Sequence, residues 1–181
     1  TSTVKPVEAS NRDLKIPVAT KNEDHSNGSG GGALAVNSVL RGQRILVAIA
    51  AFDFSQLPHL EEVINSYHDV CIAGATVDVV IHATVAYPVT LIDLWNSRFT
   101  CPDMTISIVL KDKSLRLHLV DCHRTLFYEK INEYDLFIYT EDDIRITPGT
   151  VATYLYETRR VADLVTAYTD NNSKSKPSDY N

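Results

Sequence analysis

Apolar and polar positions along the chain change rhythm several times, and each change predicts an element. "ILVAIAA" (Ile45 to Ala51) is a continuous apolar run with β-branched residues, as expected of a strand buried on both faces. In "FDFSQLPHLEEVINSY" the spacing turns helical. Leu57, Leu60, Val63, Ile64 and Tyr67 share a face, Ser55 suits an N-cap, and Pro58 suits a first turn. "TVDVVIHATV" (Thr76 to Val85) predicts a second strand. "LIDLWNSRF" (Leu91 to Phe99) predicts a short helix, although Trp95 and Phe99 would also suit a packed loop.

"MTISIVL" (Met104 to Leu110) and "LRLHLV" (Leu115 to Val120) both alternate apolar with polar residues. They predict strands with one wet face, joined as a hairpin through "KDKS". "RTLFYEKI" (Arg124 to Ile131) gives two helical turns with Leu126, Phe127 and Ile131 on one side. "DLFIYT" (Asp135 to Thr140) predicts another buried strand. Thr147 can cap a final helix with Pro148 at its first position and Val151, Tyr154, Leu155, Ala162 and Val165 along its apolar stripe. Strands and helices in alternation imply an α/β fold: an open, mostly parallel sheet with helices on both faces.

Residues 1–43 differ from the rest. They hold five of the seven glycines, no aromatic residue and the tract "NGSGGG", and predict a flexible arm or stem, with "ALAVNSVL" (Ala33 to Leu40) as a short helix within it. Residues 44–165 form the expected domain. Residues 166–181 are polar, so the fold is expected to stop there rather than finish.

The length of 181 residues suffices for one domain with a real core. A net charge of −6, from 17 basic and 23 acidic residues, provides no basic stripe and argues against nucleic-acid binding. No apolar run approaches the ~20 residues that span a bilayer. Any membrane attachment would need a segment absent from this chain, and its first residue, Thr1, suits a fragment. Cys71, Cys101 and Cys122 lack zinc-like spacing and read as isolated, half-buried thiols. One disulfide stays open as an alternative in an oxidising compartment. Two Asn-x-Ser sequons, at Asn27 and Asn171, are faint hints of the same setting.

The candidate chemistry lies in "YDLFIYTEDDIRITPG" (Tyr134 to Gly149), where a buried strand runs into Glu141, Asp142 and Asp143. Ligands of open α/β sheets bind beyond the carboxyl ends of the strands. Two unit charges ~4 Å apart repel by ~4 kcal/mol at an effective dielectric of 20, and a divalent cation reverses that sign. Mg²⁺ or Mn²⁺ uses one or two carboxylates and leaves positions for water and phosphate oxygens. The bland alternative is a solvated acidic loop that complements the dipole of the following helix.

The stretch from Arg44 to about Val165, and above all "LVDCHRTLFYEKINEYDLFIYTEDDIRITPGTV", resembles the nucleotide-sugar-binding half of a GT-A fold glycosyltransferase. The resemblance implies a metal-dependent sugar transfer from a nucleoside diphosphate sugar, with Mn²⁺ or Mg²⁺ as cofactor. The acceptor is a glycan, protein or lipid, and the setting is the Golgi or another endomembrane lumen. Glu141 and Asp143 match the acidic ends of the family's Asp-x-Asp motif and Asp142 its middle, with glutamate in place of the first aspartate. The catalytic base would lie in a second half beyond this chain. Phe52 and Asp53 stand where such enzymes grip base and ribose, with helix capping by Asp53 or Ser55 and core packing of Phe52 as the alternative.

Arg124 could neutralise a diphosphate, or pair with Glu129 or Glu133 at the surface. His82 and His118 read as ordinary sheet residues. Two other classes compete. A non-catalytic α/β interaction module needs no metal. A Mg²⁺-dependent phosphorelay receiver would want an acidic pair after its first strand, where only Asp53 stands.

Overall fold

The computed structural model describes residues 31–174. The sequon at Asn27, the remainder of the expected arm and the end of the polar tail lie outside the described residues.

The elements are α1 (Gly31–Leu40), β1 (Arg44–Ala51), a 3-10 turn (Phe54–Gln56), α2 (Leu57–Ile72), β2 (Thr76–Ala83) and α3 (Val89–Arg98). Then follow β3 (Met104–Leu110), a 3-10 helix (Lys113–Asp121), α4 (Cys122–Glu129), β4 (Leu136–Glu141) and α5 (Pro148–Lys174). The four strands form one sheet in the order β3-β2-β1-β4, and every pairing is parallel. The fold is therefore α/β with an open parallel sheet and helices on both faces, as the alternating pattern implies.

The apolar run of β1 makes it a central strand, and Ile45 to Ala51 are all buried. Ile45, Val47, Ile49 and Ala51 join Val77, Val79, Ile81 and Ala83 of β2 on one face, beneath Leu60, Val63, Ile64 and Tyr67 of α2 and Trp95 of α3. α5 adds Val151 and Ala152 to this core and packs along α1 and α2. Leu40 of α1 is fully buried, so part of the glycine-rich arm closes one side of the core. No helix among the described residues is long and apolar enough to cross a membrane.

Gly74 turns the chain from α2 into β2 at φ +108°. A side chain there would meet the Arg41 backbone at 3.4 Å, so both sterics and torsion favour glycine.

Besides β4, expected as a buried strand but in fact the half-buried edge of the sheet, and the stripe of α5, on which Tyr154 and Val165 are exposed, three expectations need correction. "LRLHLV" is not a strand, and there is no hairpin. β3 pairs only with β2, and Lys113–Asp121 forms a 3-10 helix whose start is capped by Asp112 accepting from the Ser114 N–H at 2.7 Å. The alternating leucines do not share a face: Leu119 is buried while Leu117 is 80% exposed. The segment has to carry the chain from the β3 edge across the sheet to β4, a crossover that parallel pairing demands. Second, Ser55 caps no helix; of the two candidate capping residues, Asp53 caps the 3-10 turn, its carboxylate accepting from the Ser55 N–H at 2.8 Å, and α2 follows Gln56 without a side-chain cap. Third, Cys71 and Cys101 form a disulfide with Cα atoms 6.2 Å apart, which leaves Cys122 as the free thiol. These two cysteines lie 30 residues apart and meet only because α2 ends beside the loop that enters β3.

Candidate functional site

The connections from β1 through β2 to β3 run one way along the sheet, and the next crossover places β4 on the other side of β1. The carboxyl ends of β1 and β4 therefore flank a topological switch point, where doubly wound sheets open a crevice. Phe52 and Asp53 leave β1 at that rim, and Glu141 to Asp143 leave β4.

The acids turn immediately. The Ile144 N–H donates to the Glu141 carbonyl at 3.2 Å, and the Thr140 hydroxyl donates to the Ile144 carbonyl at 3.0 Å. Tyr67 of α2 is buried beside Thr140, and desolvation raises its phenol above the ordinary range. This bracing sends the three carboxylates into different surroundings. Glu141 is half-buried and accepts from the Tyr139 hydroxyl at 3.4 Å, while Asp143 is exposed. Asp142 is only 6% exposed, and its Oδ2 has no hydrogen-bond partner.

Burial raises the pKa of Asp142. The nearby Phe52 N–H opposes that shift, and the charges of Asp143 and Glu141 add to it. Tyr87, on the loop after β2, is 8% exposed and likewise has an unpartnered hydroxyl. Burial, then the charges of Asp142 and Asp53, push that phenol up to about 12. Three polar atoms, the Asp142 acceptor and the Tyr87 and Tyr67 hydroxyls, are thus buried at the switch point without a partner. Such atoms cost about 1–3 kcal/mol each and call for an explanation.

Phe52 is half-buried, and its carbonyl accepts from the Thr84 hydroxyl at 2.6 Å, so it serves the backbone of the crevice. The exposed ring of this loop is Phe54, 45% exposed and edge-on to Tyr87 with centroids 5.3 Å apart. Asp53 is exposed, and the Ser55 hydroxyl, then the Ser55 N–H, hold its carboxyl below the usual range.

Arg124 shares no hydrogen bond or ion pair with this group among the described residues. Its exposed side chain pairs with Asp121 at 3.5 Å, rather than with either glutamate expected as its partner. His118 is an exposed residue of the 3-10 helix, not of a strand, and shares Asp121 at 3.3 Å.

Among the described residues, no three His, Cys, Asp or Glu side chains converge to hold a metal. The donor chemistry still fits a hard cation. Carboxylate oxygens are the right type, one or two suffice for Mg²⁺ or Mn²⁺, and the orphaned Asp142 Oδ2 is a ready acceptor beside Glu141 and Asp143 in the chain.

Tyr87 and Phe54 pack edge to face at this rim, and neither follows from the strand pattern. Their one sequence sign is an aromatic residue just beyond a buried strand's carboxyl end. Comparison with known protein families, characterised proteins and solved structures finds no match to this chain.

Proposed function

We infer that this chain is the donor-binding portion of a metal-dependent glycosyltransferase of the GT-A type, which transfers a sugar from a nucleoside diphosphate sugar to a glycan, protein or lipid. The observation that carries the reading is the buried, unpartnered Asp142 carboxylate at the switch point, in the middle of the acidic turn.

Glu141, Asp142 and Asp143 are the residues that would hold Mn²⁺ or Mg²⁺. The cation would supply Lewis-acid stabilisation of the charge that builds on the diphosphate leaving group. Around it, the chain's own groups bind and orient. Phe54 offers an exposed aromatic face for the base, and the free Oδ2 of Asp53 can accept a ribose hydroxyl. Tyr87 has a hydroxyl to donate, and its neutral phenol adds no charge. The Cys71–Cys101 disulfide supports an oxidising compartment such as the Golgi or another endomembrane lumen.

The second reading, a non-catalytic module with solvated acids, draws on the failure of the three carboxylates to converge. Thermal melting separates the two. Mn²⁺, and more so Mn²⁺ with UDP or GDP, raises Tm if the transferase reading is right, and Asp143→Ala abolishes the rise. A melting curve indifferent to all three ligands selects the inert module.

A further inference from the structure

The carboxyl end of the sheet has a second side. Ala50 of β1 is in register with His82 of β2 and with Glu141 of β4. Both side chains therefore stand on the face opposite the α2–α3 core, one on each flank of a methyl group. Tyr139 lies two residues before Glu141 on the same face, and His123 of α4 stacks on its ring with centroids 4.3 Å apart. Lys111 enters from the end of β3. Its N–H donates to the Ala83 carbonyl at 2.7 Å, which roots its side chain beside His82.

His82 is 4% exposed, yet neither ring nitrogen is among the sealed, unpartnered atoms, so solvent still reaches the imidazole. It forms no hydrogen bond with the described side chains. Lys111 and His123 are near enough to add to burial in disfavouring its protonated form. Lys111 and His123 thus gather around the buried His82 imidazole. His123 Nδ1 is already paired with the Val120 carbonyl, so the N–H donors left without an acceptor among the described residues are those of Lys111 and His82.

We propose that His82, Lys111 and His123 form an anion subsite, adjoining Glu141, that takes a phosphoryl group. The ammonium of Lys111 supplies charge and the His82 imidazole a directional donor to oxygens that only accept, while His123, its Nδ1 given to the Val120 carbonyl, walls the site. Lys111 argues against a cation at the same spot. Asp121 on this side is already engaged by Arg124 and His118, which leaves Glu141 as the acid facing the subsite. A cation on Glu141 would turn that repulsion into attraction. Which phosphoryl group binds rests on the transferase reading: it is the diphosphate that the acidic turn and its cation would hold.

The test is a titration of the full chain with sodium pyrophosphate, with and without Mg²⁺, read from the ¹⁵N shifts of the histidine rings. The signals of His82 and His123 move, more readily with Mg²⁺, while His68 near the disulfide stays still. Lys111→Met weakens binding about tenfold, the loss of one charge-assisted hydrogen bond, and Lys111→Arg restores it. Inorganic phosphate that moves the same signals as strongly supports the subsite with a phosphate monoester as its ligand. If His82 and His123 do not respond while Mn²⁺ with UDP still raises Tm, the subsite is wrong and the transferase reading stands. If they respond while no metal or nucleotide changes Tm, the subsite stands and that reading is lost.

Discussion

The two ends of the sheet treat their polar groups in opposite ways. At the amino end Asp135 is fully engaged: Oδ2 accepts from the Arg44 N–H at 2.9 Å and from Nε at 3.2 Å, and Oδ1 accepts from Nη2 at 3.0 Å. Asp78 accepts from the Tyr134 hydroxyl at 2.7 Å and from the Thr105 hydroxyl. The disulfide ties α2 to the entry of β3 at this same end. Near the disulfide one buried atom, His68 Nε2, lacks a partner; at the carboxyl end Asp142, Tyr87 and Tyr67 are all buried without partners, and like charges follow one another along a turn. A satisfied network braces a fold. An unsatisfied one costs stability and persists where a ligand completes it.

The difference can be broken from either side. The largest effect is expected at the braced end. Replacing both Cys71 and Cys101 with alanine frees a loop of 30 residues in the unfolded chain, and loop-closure entropy sets the loss at about 3.5 kcal/mol. Denaturant unfolding measures it, and the response of Tm to Mn²⁺ and UDP should survive where the folded state persists.

At the open end the next effect is pH dependence. Burial first, then Lys111 and His123, lower the His82 pKa from 6.5 to about 4. The unfolded chain therefore binds the proton more tightly. The stability contribution is complete above pH 6.5 and is lost as pH falls from there towards 4. At 1.36 kcal/mol per unit, discounted for the solvent that still reaches the ring, the loss is about 2 kcal/mol. Urea midpoints across this range should fall for the wild type and flatten for His82→Gln.

The smallest effect has the opposite sign. The raised pKa of Asp142 means that the folded state holds this proton more tightly, so its contribution declines as pH rises out of the ordinary carboxylate range. At neutral pH the buried charge is a burden. Asp142→Asn should raise the Tm of the ligand-free protein by ~2 °C, while it removes the gain from Mn²⁺ with UDP. A fall in Tm on this substitution would place Asp142 with the bracing groups and erase the contrast.

Much of the fold was legible in local patterns. β1 and the core face of β2 follow from apolar runs, and α2 from its helical spacing, because burial on one or two faces stamps a period on the sequence. The acidic turn could be located at a strand's end from the apolar run before it, although that strand is the half-buried edge β4 rather than a buried one. "LRLHLV" misled because alternating leucines mimic a strand. The crossover to β4 overrode that pattern, since a chain that must span the sheet cannot stay at its edge. Surface pairing was a legible alternative for Arg124, but its partner is Asp121, three residues earlier, rather than Glu129 or Glu133.

By itself the sequence determined the alternation of strands and helices, the burial of β1 on both faces and the presence of three carboxylates at one strand's end. Each of these is a local property, set by the period and charge of neighbouring residues. Tertiary structure alone decided which carboxylate is buried, that Tyr87 and Phe54 come to its side, that His82 and Glu141 flank Ala50, and that Cys71 meets Cys101. Those facts depend on register and on crossovers between segments far apart in the chain, and no local pattern encodes a distance across the sheet.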